Sequence, residues 1–295
     1  MRESILVTGG SGFVGTAVLA ELAARGYAVT ATCSGASGRL LAPPGVTWDR
    51  WDATSEPLPA VEWAGIGGIV HLAAARDLFN FPGQAAAIYE ITVAATFRLL
   101  EAARSHGISR LVLASSGEVL GSSEGPAKED DLLYLPASFY GAAKACAELL
   151  SRSYEKLLPT AIVRFYHPYG PGGERFLINR LLRMVAEGKE VRIEGQHGIL
   201  LNPVWIEDLA RGIALALESR DTGVFHLAGP DTETLRALLT RMGEIVGRPP
   251  VVRVLSGAGA ERHAGGFARS ERVLGYRPLV SLNEGLRRLF ADSPK

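Results

Sequence analysis

Short apolar runs alternate, through the first two thirds of the chain, with longer stretches in which apolar residues return every three or four positions. ILVTG, AVTAT, GIVHLAA and RLVLASS have the length and β-branched content of strands, whereas FVGTAVLAELAARG and AATFRLLEAARSHG between them carry the helical period. Strands that alternate with helices predict βαβ units and a parallel sheet. LPTAIVRFY continues the series, and GVFHLAG follows the helical VWIEDLARGIALALE, so the sheet receives its last strand late. FLINRLLRMVAEGKEVRI leaves the alternation, and TLRALLTRMGEIVG with ERVLGYRPLVSLNEGLRRLF reads as a small, mostly helical lobe. The expected organisation is an α/β sheet domain from residues 1–168 plus about 204–230, and a discontinuous lobe from 169–203 plus 231–295.

Composition narrows the picture without changing it. With 295 residues and 47% hydrophobic content the chain has material for a large core. Lys+Arg and Asp+Glu number 31 each, and no basic run stands out, which argues against a nucleic-acid or membrane partner. The chain enters a strand pattern within five residues of its start and has no apolar run near the roughly 18 residues of a membrane span, so neither a secretion signal nor an anchor is expected. Cys33 and Cys146 form no metal-binding spacing, which suits a reducing cytoplasm and predicts no metal site.

Two stretches carry candidate chemistry. TGGSGFVG follows the first strand and places Gly9, Gly12 and Gly15 three residues apart, with the helical pattern starting at Phe13. Glycines there permit a tight turn and let a pyrophosphate approach the helix N-terminus, where free N–H groups and the dipole favour an anion. The loop Gly9, Ser11, Gly12, Phe13, Val14 and Gly15 is therefore a candidate dinucleotide site; the plainer alternative is an ordinary strand-to-helix turn. FYGAAKACAE puts Tyr140 and Lys144 four apart in an alanine-rich helical run. A surface helix pair or a snorkelling lysine explains that spacing equally well. The chemical alternative is a phenol used as acid or base, with an ammonium beside it to lower its pKa.

Taken with TGGSGFVG and Tyr140/Lys144, the stretches HLAA (71–74), SSGEVLG (115–121), RFYHPYGPG (164–172) and VWIEDLA (204–210) resemble, in order, the extended short-chain dehydrogenase/reductase family of epimerases, dehydratases and ketoreductases that modify nucleotide-linked sugars. The resemblance implies a Rossmann-like, doubly wound domain that holds NAD or NADP, a C-terminal substrate lobe, and a catalytic set on Ser116, Tyr140 and Lys144. In it Tyr140 exchanges a proton with a substrate oxygen, Lys144 lowers the tyrosine pKa and holds the nicotinamide ribose, and Ser116 stabilises charge on the same oxygen. Ser115 is read as a structural neighbour. Further cofactor contacts are implied at Asp52 and Ala53, at Leu72, Ala73 and Ala74, and at Tyr166.

Departures from the family pattern shape the expectation. Cys33 stands where NAD-preferring relatives close the second strand with an acid, while Ser34 and Arg39 are placed to meet a 2′-phosphate; NADP is favoured over NAD. Glu118 occupies the position of a glutamate in dehydrating and decarboxylating relatives, but Gly117 precedes it where dehydratases carry a second acid. His167 replaces an asparagine and Leu201 an arginine of the sugar-diphosphate grip, with Arg175, Arg180 and Arg183 as candidate replacements. Glu118 is a fourth catalytic candidate; Glu118, His167 and Arg175 are the substrate-contact candidates, and Arg164 is a structural ion-pair candidate. Three readings follow. They are a nucleotide-sugar 4-ketoreductase or 4-epimerase, an NADPH-dependent reductase of a polyketide or phenolic ketone, and a non-enzymatic dinucleotide sensor. Relatives commonly dimerise through the helix that carries Tyr140.

Overall fold

The computed structural model describes residues 4–35, 44–75, 77–78, 80–121, 125–131, 136, 138–256 and 262–292. Seven parallel strands form the main sheet: β1 (Ser4–Thr8), β2 (Ala28–Cys33), β3 (Val46–Arg50), β4 (Ile66–His71), β5 (Arg110–Ser116), β6 (Thr160–Phe165) and β9 (Gly223–Leu227), ordered β3-β2-β1-β4-β5-β6-β9. Except in the edge strand β3, alternate residues of these strands are sealed from opposite sides, which is why they read as continuous apolar runs. Val7, Val70, Val112 and Val163 pack against α1 (Phe13–Ala24) and α6 (Ile206–Glu218). Leu6, Ile69, Leu111 and Ile162 pack on the other face, against α3 (Ala95–Ser105) and α4 (Phe139–Ser153). The strand order reverses between β1 and β4, so a crevice opens at the carboxyl ends of these two strands, at Thr8 and His71. Strand β3, which the apolar pattern does not reveal, is the half-exposed edge strand VTWDR; edge strands tolerate the charges that end it.

A short α2 (Ala85–Tyr89) enters α3 through a π-helical turn at Glu90–Ala94. The second core gathers Ile178, Leu182 and Val185 of α5 (Leu177–Ala186), Leu238, Leu239 and Met242 of α7 (Leu235–Val246), and Leu286 of α9 (Leu282–Ala291). This lobe is less purely helical than the sequence suggests. β7 (Glu190–Glu194) pairs in parallel with β11 (Val251–Leu255), and β8 (Leu200–Leu201) lies between β10 (Glu233–Thr234) and β12 (Arg262–His263). Strands of two residues have no period to detect. The segment after β12 and α8 (Ala268–Leu274) are tied back to residues 127–129: Ala127 N–H donates to Ala264 O at 2.8 Å, Gly266 N–H donates to Ala127 O at 2.8 Å, and Glu129 accepts from Ser270 N–H at 3.1 Å. Among the described residues no helix is long and apolar enough to cross a membrane.

Burial leaves a titratable mark at the crevice. His71 Nδ1 lies 2.6 Å from Thr8 Oγ1 across the β1–β4 boundary, and burial, then the nearby Lys144 ammonium, pushes the imidazole down to about 3 from 6.5. A neutral buried histidine that the unfolded chain protonates contributes stability present in full above pH 6.5 and lost as pH falls toward 3. Between pH 7 and pH 5 this one group is expected to cost about 2 kcal/mol. In urea unfolding at the two pH values, His71→Asn should lose about that much less than the wild type; an identical loss in both proteins would mean that His71 is already protonated in the fold.

Candidate active site

The glycine loop is shaped by close approach. Gly9 has φ +71°, and a Cβ there would stand 2.8 Å from the Ala73 backbone; one on Gly15 would stand 2.2 Å from Gly9 O. Gly12 caps α1 in extended conformation, no acid lies in the first helical turn, and Ser11 and Gly12 are exposed. Free N–H groups at the start of α1 thus face open space across a surface that any side chain at Gly9 or Gly15 would distort. A pyrophosphate fits such a cradle. Leu72 and Ala73, which follow β4, line its other side: Leu72 N–H donates to Thr8 O at 3.1 Å and Ala73 N–H to Thr8 Oγ1 at 3.4 Å, while Ala74 is exposed. Phe13 is covered by Phe176, with ring centroids 4.6 Å apart.

At the end of β2, Cys33 is buried, and its thiol donates to Gly35 O at 3.1 Å; Ser34 is exposed. Arg39 lies outside the described residues. Asp52 accepts from Thr54 N–H at 3.0 Å and Thr54 Oγ1 at 2.6 Å, and these bonds hold its carboxyl below the ordinary value. It is a turn-former with one oxygen so engaged. Ala53 beside it is buried, its carbonyl accepting from Arg98 Nη2 at 2.9 Å.

Ser116 ends β5 and pairs in register with Phe165 of β6. Tyr140 and Lys144 are both buried on α4, with the ammonium 5.8 Å from the phenol ring centroid and donating to Ala114 O at 2.7 Å. Burial lowers Lys144 to about 8, opposed by the Glu148 carboxylate. Tyr140 departs from expectation: its phenol is pushed up, by burial first and by Glu118 second. Desolvation of a phenolate outweighs the ammonium here, and Lys144 spends a donor on a backbone carbonyl.

Glu118 sits on the short 3₁₀ turn Gly117–Leu120, where its carboxylate accepts from Ser138 Oγ at 2.7 Å. Ser138 in turn caps α4, accepting from Gly141 N–H at 3.0 Å; a serine just before the run FYGAAK is the sequence signal that identifies this cap. A Cβ on Gly117 would lie 2.3 Å from the Tyr166 ring, so that position admits no side chain. Tyr166, a cofactor-contact candidate, is buried between Gly117 and Gly265, its hydroxyl 3.4 Å from His226 Nδ1. The ring fills the space between two chain segments that only glycines allow to come so close.

His167 has a left-handed backbone, φ +43°, and faces His263 with ring centroids 6.1 Å apart; burial, then His263, lowers it to about 4. Arg175 is exposed ahead of α5, and Arg180 and Arg183 lie on the exposed face of that helix. Leu201 is fully buried in the lobe core. Arg164 forms a buried two-point ion pair with Glu148, at 2.9 and 2.7 Å, and Ser115 Oγ donates to the same carboxylate at 2.5 Å. Glu148 and His226 escaped sequence reading, since a charged residue on a helix and a histidine in a strand carry no local sign of burial.

The geometry thus brings a phosphate-shaped cradle and the Ser116, Tyr140 and Lys144 side chains to the carboxyl edge of one parallel sheet. The pattern defined as the NAD dependent epimerase/dehydratase family matches residues 5–228. The dTDP-glucose 4,6-dehydratase of Streptomyces griseus is 30% identical over 97% of this chain and 92% of its own length. The 2-alkyl-3-oxoalkanoate reductase of Stenotrophomonas maltophilia is 28% identical over 98% and 99%. Among solved structures, the Thermus thermophilus UDP-glucose 4-epimerase in complex with NAD superimposes with a TM-score of 0.82 at 27% identity, covering 98% of this chain and all of that one. Dehydratase, reductase and epimerase relatives each match nearly the whole chain, and the chain belongs to the NAD dependent epimerase/dehydratase family.

Proposed function

We propose that this protein exchanges hydride between a nicotinamide dinucleotide and a carbonyl/hydroxyl carbon of a nucleotide-linked sugar, as a 4-ketoreductase first and a 4-epimerase second. The observation that carries this reading is the set of Ser116 at the end of β5 with buried Tyr140 and Lys144 on α4, at the same sheet edge as the Gly9–Gly15 cradle. A bound nicotinamide supplies or accepts the hydride. Tyr140, kept neutral by burial, donates its proton to a carbonyl oxygen, and Ser116 hydrogen-bonds that oxygen as charge develops on it. Lys144, at about 8, is mostly cationic at neutral pH and compensates the phenolate left behind.

Two features set the order of preference. Tyr166 closes the position of Gly117, so the acid pair that the family resemblance attaches to dehydration has no room to form. Cys33 gives the adenosine ribose no carboxylate at the end of β2, which favours an exchangeable NADPH and hence net reduction. The NAD of the Thermus thermophilus epimerase supports the second choice. A non-sugar ketone is the rival substrate, favoured by the burial of Leu201 where an arginine clamp would stand and by the Stenotrophomonas maltophilia reductase.

Purified protein offered NADPH or NADH with UDP- and dTDP-linked 4-ketohexoses should oxidise one reduced cofactor per keto group. Interconversion of C4 epimers without added cofactor selects the epimerase, and turnover of 2-alkyl-3-oxoalkanoates alone rejects the sugar. Tyr140→Phe should lower kcat by about 10²–10⁴ while leaving cofactor affinity within about twofold, and near-normal turnover removes Tyr140 from the mechanism. Cys33→Asp should move the NADPH/NADH preference toward NADH by about tenfold, or about 1.4 kcal/mol. An unchanged ratio of the two dissociation constants would show that the ribose does not meet the end of β2.

A further inference from the structure

Tyr140 and Lys144 lie between two links that fasten helix α4 to β5 and to the turn after it, besides the bond that Lys144 itself donates to Ala114 O. Beyond Lys144, Ser115 Oγ donates to Glu148 at 2.5 Å. Ahead of Tyr140, the Ser138 hydroxyl has both of its roles filled: it accepts from Gly141 N–H at 3.0 Å and donates to Glu118 Oε2 at 2.7 Å. The chain of contacts closes on Ser116, whose Oγ accepts from Glu118 N–H at 3.3 Å. The approach is tight, because a Cβ on Gly141 would stand 3.0 Å from Glu118 O and 2.9 Å from Pro136 Cβ. Glu118 thus joins the turn that follows Ser116 to the cap of the helix whose second residue is Tyr140.

We propose that Glu118 and Ser138 are positioning residues: together they latch the first turn of α4 to the turn after β5, so that Tyr140 is held at a set distance from Ser116. The proposal rests on the reading that Ser116 and Tyr140 act on one substrate oxygen. It gives Glu118 no proton to exchange with substrate. A carboxylate serves here as a strong acceptor for a hydroxyl whose single hydrogen must be aimed away from the helix so that its lone pair caps Gly141. Displacement of a reacting group by about 1 Å is enough to cost about 10²-fold in rate, so the latch matters to turnover even though it touches no reacting atom.

Glutamine retains the acceptor and loses the ionisable carboxyl, which separates the two roles. Glu118→Gln, Glu118→Ala and Ser138→Ala are to be compared for kcat and KM on the nucleotide-linked hexose that the wild type turns over. NAD affinity by fluorescence titration and amide hydrogen exchange across residues 139–142 complete the set. Glu118→Gln should keep at least about a third of wild-type kcat. Glu118→Ala and Ser138→Ala should lose about tenfold or more in kcat, with KM and NAD affinity within about twofold and with faster exchange in the first turn of α4. A fall of about 10²-fold in Glu118→Gln, equal to that of Glu118→Ala, would make Glu118 an acid or base and overturn the proposal. Wild-type kcat and exchange in Ser138→Ala would overturn it as well. If the wild type turns over none of the sugars, the substrate reading fails by itself, and the exchange rates still decide the latch: unchanged protection in both alanine variants would sink it.

Discussion

The buried ion pair between Glu148 and Arg164 is the contact on which the rest of the site depends. Both side chains are fully sealed, joined by two hydrogen bonds, and Ser115 gives the carboxylate a third. Such a pair is weak evidence for stability as a whole, yet removal of one partner strands a charge and costs about 3–5 kcal/mol. Its position gives it a structural meaning. Glu148 lies on α4 four residues beyond Lys144, Arg164 on β6, and Ser115 on β5 next to Ser116. One desolvated charge pair therefore fixes the register of the helix that carries the phenol and ammonium against β5, whose end carries Ser116, and its neighbour β6.

Close approach is the second constraint. Glycines at 9, 15, 117, 141 and 265 sit where a Cβ would meet backbone or an aromatic ring at 3.0 Å or less. Gly9 brings the loop after β1 against Ala73 beyond β4, Gly15 closes that loop on the first turn of α1, and Gly141 brings the start of α4 against the turn after β5. The other two hold Tyr166 between the main domain and the segment after β12, a segment that Asn202 pins by accepting from Gly265 N–H at 3.1 Å and donating to its carbonyl at 2.8 Å. Packing of this kind holds the segment after β12 against the carboxyl end of the sheet.

Burial also sets the charge state of the site. It drives Lys144, His71, His167 and His226 toward neutrality and Tyr140 and Tyr166 away from ionisation. The result is a phenol on α4 that keeps its proton, and buried imidazoles that stay uncharged at physiological pH. Lys144 alone among these groups titrates close enough to physiological pH for a nearby negative charge to tip it.

Much of this was legible in the chain. Apolar runs and helical periods announce the parallel sheet and its covering helices because such strands bury both faces, and the glycine spacing after β1 announces the cradle because a Cβ at Gly9 or Gly15 would meet backbone. Tyr140 and Lys144 share a helix face by simple periodicity. The sequence did not reveal that Tyr166 is wedged between Gly117 and Gly265 or that Glu118 faces Ser138, whereas a carboxylate ahead of a loop already allows Asp52 the turn it forms. Local pattern determines which residues can form an element and which way each faces from its own backbone. What that face meets is decided only when elements far apart in sequence pack, and desolvation, which fixes pKa and ion pairing, is a property of that packing alone.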